Sequence, residues 1–200
     1  EVAGIVLGGF QLEANETTRV TDVMTKAFSS SPLDINKFQE SIKNVAPVAN
    51  AAGLSLEQTS AMLGVLAKSG ITGSRAGTAL RRIISELGST SGDVVGDIQK
   101  LASAGLNLAD AKDEVGRNAQ AALLVLSNGV NDIDDLTSSL DKSSGTAQKM
   151  ADVMNDNAKG GLKEMMSAVE GVAISIGSIL TPAISKLADF IKVISQGFEG

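Results

Sequence analysis

The side chains that could do chemistry in this sequence are carboxylates, hydroxyls, amides, lysines and arginines, because Cys, His, Trp and Tyr are all absent. Their absence removes thiol and imidazole nucleophiles, disulfides and the commonest zinc ligands together. The most acidic stretch, NDIDDLTSSLD from Asn131 to Asp141, has the look of a calcium loop. Such a loop needs oxygen ligands at alternate positions and a glycine at the sixth, where Leu136 and then Thr137 stand instead. The stretch therefore reads as an acidic helical turn that complements a helix dipole. GITGSRAGT, Gly70 to Thr78, has the glycines of a phosphate loop but lacks the glycine-lysine pair and follows a helix rather than a strand. It reads as a helix–helix turn. Asp134 with Asp135, and Asp113 with Glu114, are solvated neighbours and not carboxylates facing each other across a cleft. Met150, Met154, Met165 and Met166 fall at helical spacing, which core filling explains. No catalytic, cofactor-binding or metal-binding residue is assigned, and no enzyme activity is expected.

The elements that would position any functional surface are organised around Gly53 to Gly88. Ser55 is an N-cap with Gln58 three residues on, the spacing of a capping box. Gly70 stands at a left-handed C-cap, and Gly73 keeps the connection short. In the second helix Ala76, Ala79, Leu80, Ile83, Ile84 and Leu87 form an apolar stripe, and Gly88 is expected to end it. Ala76, Gly77, Thr78, Ala79, Leu80, Arg81 and Arg82 form a candidate helix-packing motif. Its small residues let another backbone come close, while the two arginines point away or rim the contact.

Around this hairpin the chain alternates helices and breaks. Residues 1–12 are apolar and glycine-rich, the end of a preceding segment. Asn15 is expected to cap a helix striped by Val20, Val23, Met24, Ala27 and Phe28. Asp34 caps the next, whose face is Ile35, Phe38, Ile42, Val45, Ala46 and Ala49, with Pro47 expected to kink it or end its first part. A helix from about Asp93 to Ala104 stops at Gly105. Asn118 to Ser127 contains AALLVL, a run suited to a fully buried helix. Asn131 to Lys142 and Thr146 to Ala158 read as two short helices, acidic on the outside. No segment alternates at period two, so the fold class is all-α. The expected division is a compact core over 13–130, an acidic connector over 131–160 and a long helix over 161–200.

That last segment differs from the rest. Leu162, Met166, Val169, Ala173, Ile176, Leu180, Ala183, Leu187, Phe190 and Ile194 recur at alternating steps of four and three. A period of 3.5 is that of a self-associating coiled-coil seam, and Pro182, off the seam, is expected to bend it. Met165, Val172 and Ile179 widen the seam. The helix either extends as a rod or folds back on the core; the pattern alone leaves both open. Gly171 to Ser185 carries no charge but is shorter than the roughly 20 residues a spanning helix needs.

With 43% hydrophobic and 20% charged residues in 200, the chain is neither disordered nor a membrane protein by composition. Net charge is −6, with 9 basic and 10 acidic residues in the first hundred and 8 and 13 in the second. With five Phe as the only aromatics, no direct nucleic-acid site is expected. The first residue, Glu1, has no leader-like pattern after it, and the chain reads as a fragment of a longer protein.

The stretch NVAPVANAAGLSLEQTSAMLGVLAKSGITGSRAGTALRRIISEL, Asn44 to Leu87, resembles the shared domain of phage tail tape measure proteins. EVGRNAQAALLVL, Glu114 to Leu126, is similar to that family's glycine-basic-helix element, with Val115 where an aromatic is common. SSGTAQKMADVMNDNAKGGLKEMMSAVEGVAISIGSILTPAISKLADFI is similar to its passage into a long helical region. The resemblance rests on packing residues and implies structural work: setting tail length and scaffolding the tail tube, inside the tail lumen of the virion, after assembly in the host cytoplasm. It implies as partners other copies of the chain, tail-tube and tail-tip proteins and tail assembly chaperones, with a role in DNA ejection and a possible contact with the host membrane. The rival reading is a membrane-perturbing helical domain that inserts residues 161–196 into a bilayer; an enzyme domain lying elsewhere in the protein is the weaker third.

Overall fold

The computed structural model describes residues 1–161, 163, 166 and 167, apart from the side chains of 89–91. Among the described residues the secondary structure is helical throughout, and the chain divides into two units, Glu1–Met150 and Ala151–Gly200. The first unit extends on both sides of residues 13–130. It takes in a first helix, α1 (Val2–Phe10), whose Val2, Val6 and Phe10 are buried.

Helices α2 (Thr17–Ser30), α3 (Ile35–Ala51) and α4 (Leu56–Lys68) follow. Asn15 does not cap α2. It lies in a short 3₁₀ turn, Ala14–Glu16, and its amide donates to Glu13 instead. Asp34 does cap α3, accepting from the Lys37 N–H at 2.8 Å. The α3 face is buried at Phe38, Ile42, Val45, Ala46 and Ala49, but Ile35 is exposed, because at the first position of the helix it precedes the turn that meets the core. Helix α3 runs on through Pro47 to Ala51, so the proline does not end it. The Ser55–Gln58 box is complete, with both reciprocal bonds at 3.0 Å.

Helix α4 is the hub. Almost all of its residues from Leu56 to Ala67 are buried, and it packs against α2 and α3 and against three of the helices that follow it in the chain. Its one buried acid, Glu57, receives both arms of the Arg19 fork from α2, at 3.0 and 2.9 Å. The Arg19 bond to Glu16, helped by Glu57, holds that guanidinium above its ordinary pKa against a desolvation that pulls the other way. At the far end Gly70 takes φ +78° and Ile71 N–H reaches back to the Leu66 carbonyl at 3.0 Å, a Schellman cap.

Helix α5 (Gly73–Ser91) buries Ala76, Ala79, Leu80, Ile83, Ile84 and Leu87. It does not stop at Gly88. That glycine lies inside the helix, where a Cβ would meet Val94 at 3.3 Å, and the left-handed cap is Gly92. Then come α6 (Val94–Ser103), α7 (Leu108–Val115), α8 (Gln120–Asn128) and α9 (Val130–Asp141). Helix α8 is buried only on one side, at Ala122, Leu123, Leu126 and Ser127; Ala121 faces solvent, which corrects the fully buried reading of AALLVL. Helix resumes at 146, and the described part of the second unit, 151–161 with 163, 166 and 167, is helical and exposed.

Candidate functional site

The acidic candidates come apart first. Asn131 to Asp141 lies in α9, a helix and not a loop, with Ile133, Leu136 and Leu140 turned into the core. Asp134 accepts from the Gln99 amide at 3.3 Å, Asp132 pairs with Lys68 at 2.8 Å, and Asp113, Glu114 and Asp135 are exposed. Among the described residues no cluster of acids could hold a metal ion. Of GITGSRAGT, Gly70 to Thr72 complete the α4–α5 turn and Gly73 to Thr78 already begin α5. Of the four methionines at helical spacing, the three that are described do not fill the core: Met150 is exposed by 40%, Met154 by 64% and Met166 by 58%. Helical spacing alone says nothing about a covering partner. Met165, and the seam residues Leu162, Val169, Ala173, Ile176, Leu180, Ala183, Leu187, Phe190 and Ile194, lie outside the described residues, as do Pro182 and the uncharged run at 171–185. Among the described residues no helix is long and apolar enough to cross a membrane.

The motif over 76–82 splits between two faces of α5. Ala76, Gly77, Ala79 and Leu80 are buried, while Thr78, Arg81 and Arg82 are exposed. Gly77 rests against the backbone of α3, so that a Cβ there would stand 2.3 Å from the Ser41 carbonyl oxygen. Ser41 Oγ in turn donates to the Gly73 carbonyl at 2.7 Å, and the Glu40 carboxylate accepts from the Ser74 N–H at 3.3 Å. Helix α3 thereby supplies the polar partner that the side chain of Thr72, at the N-cap of α5, does not provide.

Two features of the site were not read from the sequence. One is a clasp. Asp22, on α2 and only 3% exposed, accepts from the N–H of Gly145 and of Ala147, both at 2.8 Å. Gly145 sits at φ +76°, and these N–H groups open the helix that begins at 146, so Asp22 is its N-cap supplied from 123 residues away. The other is a groove of about 930 Å³ between α3, α5 and the 116–119 turn. Arg75, Arg81 and Arg82 line it from α5, and Arg117 lines it from the opposite side. The turn carrying Arg117 starts at Gly116, φ +76°, which ends α7 and accepts from the Ala119 N–H at 3.2 Å. Helix α7 itself went unread, although Asn107 followed by Asp110 is a capping signal: the Asn107 side chain accepts from the N–H of Ala109 and of Asp110.

A family model of phage-related minor tail proteins matches residues 1–142. The chain belongs to that family. The matched region ends one residue before Ser143, the buried start of the turn that Asp22 holds. Among curated proteins, this tail-protein chain is 33% identical over 220 residues to the tape measure protein of Pneumococcus phage Dp-1, covering 96% of the chain and 19% of that relative. It is 26% identical over 224 residues to the probable tape measure protein of Escherichia phage P2, covering 94% of the chain and 27% of the relative. The chain thus spans about a fifth to a quarter of these relatives' lengths. No solved structure matches it. Family membership places the chain among phage tail proteins.

Proposed function

We propose that this chain is a segment of a tape measure protein, in which the compact unit 1–150 anchors a ruler that runs on from Gly161. The observation that supports this most is the relationship to two tape measure proteins over nearly the whole chain. Physical form agrees. A unit of helices broken every dozen residues or so cannot itself measure length, whereas a 3.5-period seam from Leu162 to Ile194 suits a stiff, self-associating rod. The Asp22 clasp would fix the start of the helix that leads toward that rod. In this reading the chain works in the tail lumen, with other copies of itself, tube and tip proteins and assembly chaperones as partners, and leaves the tube when DNA is ejected. The packing motif Ala76–Arg82 serves the anchor, and the seam serves self-association. The membrane-perturbing alternative rests mostly on residues outside the described part, and no observation favours it.

The test is internal deletion of whole heptads between 162 and 200 in the phage-encoded protein, with tail length measured by electron microscopy. Removing three heptads from a single extended helix shortens the tail by roughly 30 Å, at about 1.5 Å per residue. Tails of unchanged length would remove the ruler role from this segment.

A further inference from the structure

Four of the chain's five arginines, Arg75, Arg81, Arg82 and Arg117, line one groove of a protein whose net charge is −6. No acidic residue lines it. Arg82 is answered by Glu86 four residues on, at 2.8 Å; among the described residues Arg75, Arg81 and Arg117 make no ion pair. Bringing like charges together in this way is unfavourable and leaves a local positive field that, among the described residues, an ion pair offsets only at Arg82.

We infer that this groove is a docking site for an acidic polypeptide segment. The guanidinium fork takes a carboxylate through two parallel hydrogen bonds, a match that lysines would not offer. Arg75 and Arg82 are seven residues apart on α5, about 10 Å along one face, the spacing of acids two turns apart on a partner helix. Ser74, Thr78 and Asn118 add neutral donors along the same wall, and Val48, Val115 and Ala119 supply apolar floor for the methylene stems of glutamates. A nucleic acid fits less well. No aromatic lines the groove to stack a base, whereas the guanidinium forks match carboxylates directly. The groove would take an acidic segment whether or not the chain measures a tail.

Fluorescence anisotropy on the full chain tests this, with a labelled glutamate-rich helical peptide of about six turns and, in parallel, an oligonucleotide of matching charge. The peptide binds at low salt and weakens as salt screens the pairs. The triple variant Arg75→Gln, Arg81→Gln, Arg117→Gln loses about tenfold or more in affinity, while Lys26→Gln, Lys142→Gln, Lys149→Gln, away from the groove, changes it less than about twofold. The arginines are exposed, so the thermal melt stays that of the parent; should the triple variant fail to fold, Arg117→Gln alone carries the test, with a loss of about threefold. No peptide binding to the parent, an equal loss in the lysine variant, or tighter binding of the oligonucleotide would overturn the proposal.

Discussion

Two joints in the first unit are made by opposite means. The α3–α5 seam is chiefly an apolar contact in which Gly77 lets one backbone touch another and a row of buried side chains from Ala76 to Leu87 backs it up, with polar bonds only at the start of α5. The joint at 143–147 is polar, and one carboxylate from α2 holds two N–H groups. Dispersed apolar packing fails gradually, because each lost contact is a small part of the whole. A single buried carboxylate fails all at once. The seam therefore belongs to the permanent body of the domain, and the clasp is the place where a single substitution could release the helix starting at 146 while leaving the body intact.

The largest effect is expected at the seam. Gly77→Ala drives a Cβ to 2.3 Å from a carbonyl oxygen that belongs to backbone and has nowhere to go. The expected loss is about 3 kcal/mol, at the upper end for an overpacked site and against the usual gain of alanine in a helix. Gly8→Ala is the control. It lies in α1, and a Cβ added there would meet nothing within 4 Å, so the same substitution stabilises by about 0.5–1 kcal/mol. Urea unfolding of both variants measures the contrast, and two equal shifts would mean the seam is looser than its geometry implies.

Next is the clasp. In Asp22→Asn the amide can accept from one N–H only and turns its own donors toward the other. Hydrogen bonds to a charged acceptor contribute about 1.5–3 kcal/mol each, so a loss of about 2 kcal/mol is expected. The local readout matters more than the total. Amide exchange speeds up at Gly145 and Ala147 while α3 and α5 keep their protection. Loss of protection across the whole unit would break the distinction between a permanent body and a detachable joint.

A gain of about 1 kcal/mol is expected from Gln11→Gly. Gln11 ends α1 at φ +55°, the one left-handed residue other than glycine among those described, and an L side chain costs about 1–2 kcal/mol there. Because α1 packs on α3 through Gly9, which rests on Ala46, this change reinforces the permanent body and leaves exchange at Gly145 unchanged. A faster exchange at Gly145 in this variant would show that the two joints are coupled.

What the sequence revealed of this arrangement follows the range of each interaction. Caps and stripes span three or four residues, so Asp34, Ser55 with Gln58, Gly70, Gly105 and the buried row of α5 were all legible. Errors of local reading came where two signals competed. Gly88 looked like a stop, yet it is a packing glycine and Gly92 is the cap; Asn15 looked like a cap, yet Glu13 holds its amide. The clasp and the groove were not legible at all, because Asp22 lies 123 residues from Gly145, and Arg117 meets the α5 arginines only through tertiary packing. Neither distance leaves a periodicity to find.

Asp34 sharpens the comparison from the other side, since it performs the same chemistry as Asp22 on its own helix and in solvent. Its carboxylate is held below the ordinary range first by the Lys37 N–H and then by the Lys37 side chain, 3.1 Å away. A lowered folded pKa means that the stabilisation is present above the ordinary carboxylate value and is lost as pH falls through the lowered one. Asn is as good an N-cap as Asp but does not titrate here. The melting temperature of Asp34→Asn, compared with the parent from neutral to acid pH, should therefore lie slightly lower at neutral pH and converge with it in acid. Since the residue is exposed, the difference is the smallest of the set and shrinks in salt. A gap that stays constant with pH would show that the cap at Asp34 is geometric alone, leaving charge to matter only where, as at Asp22, the carboxylate is buried.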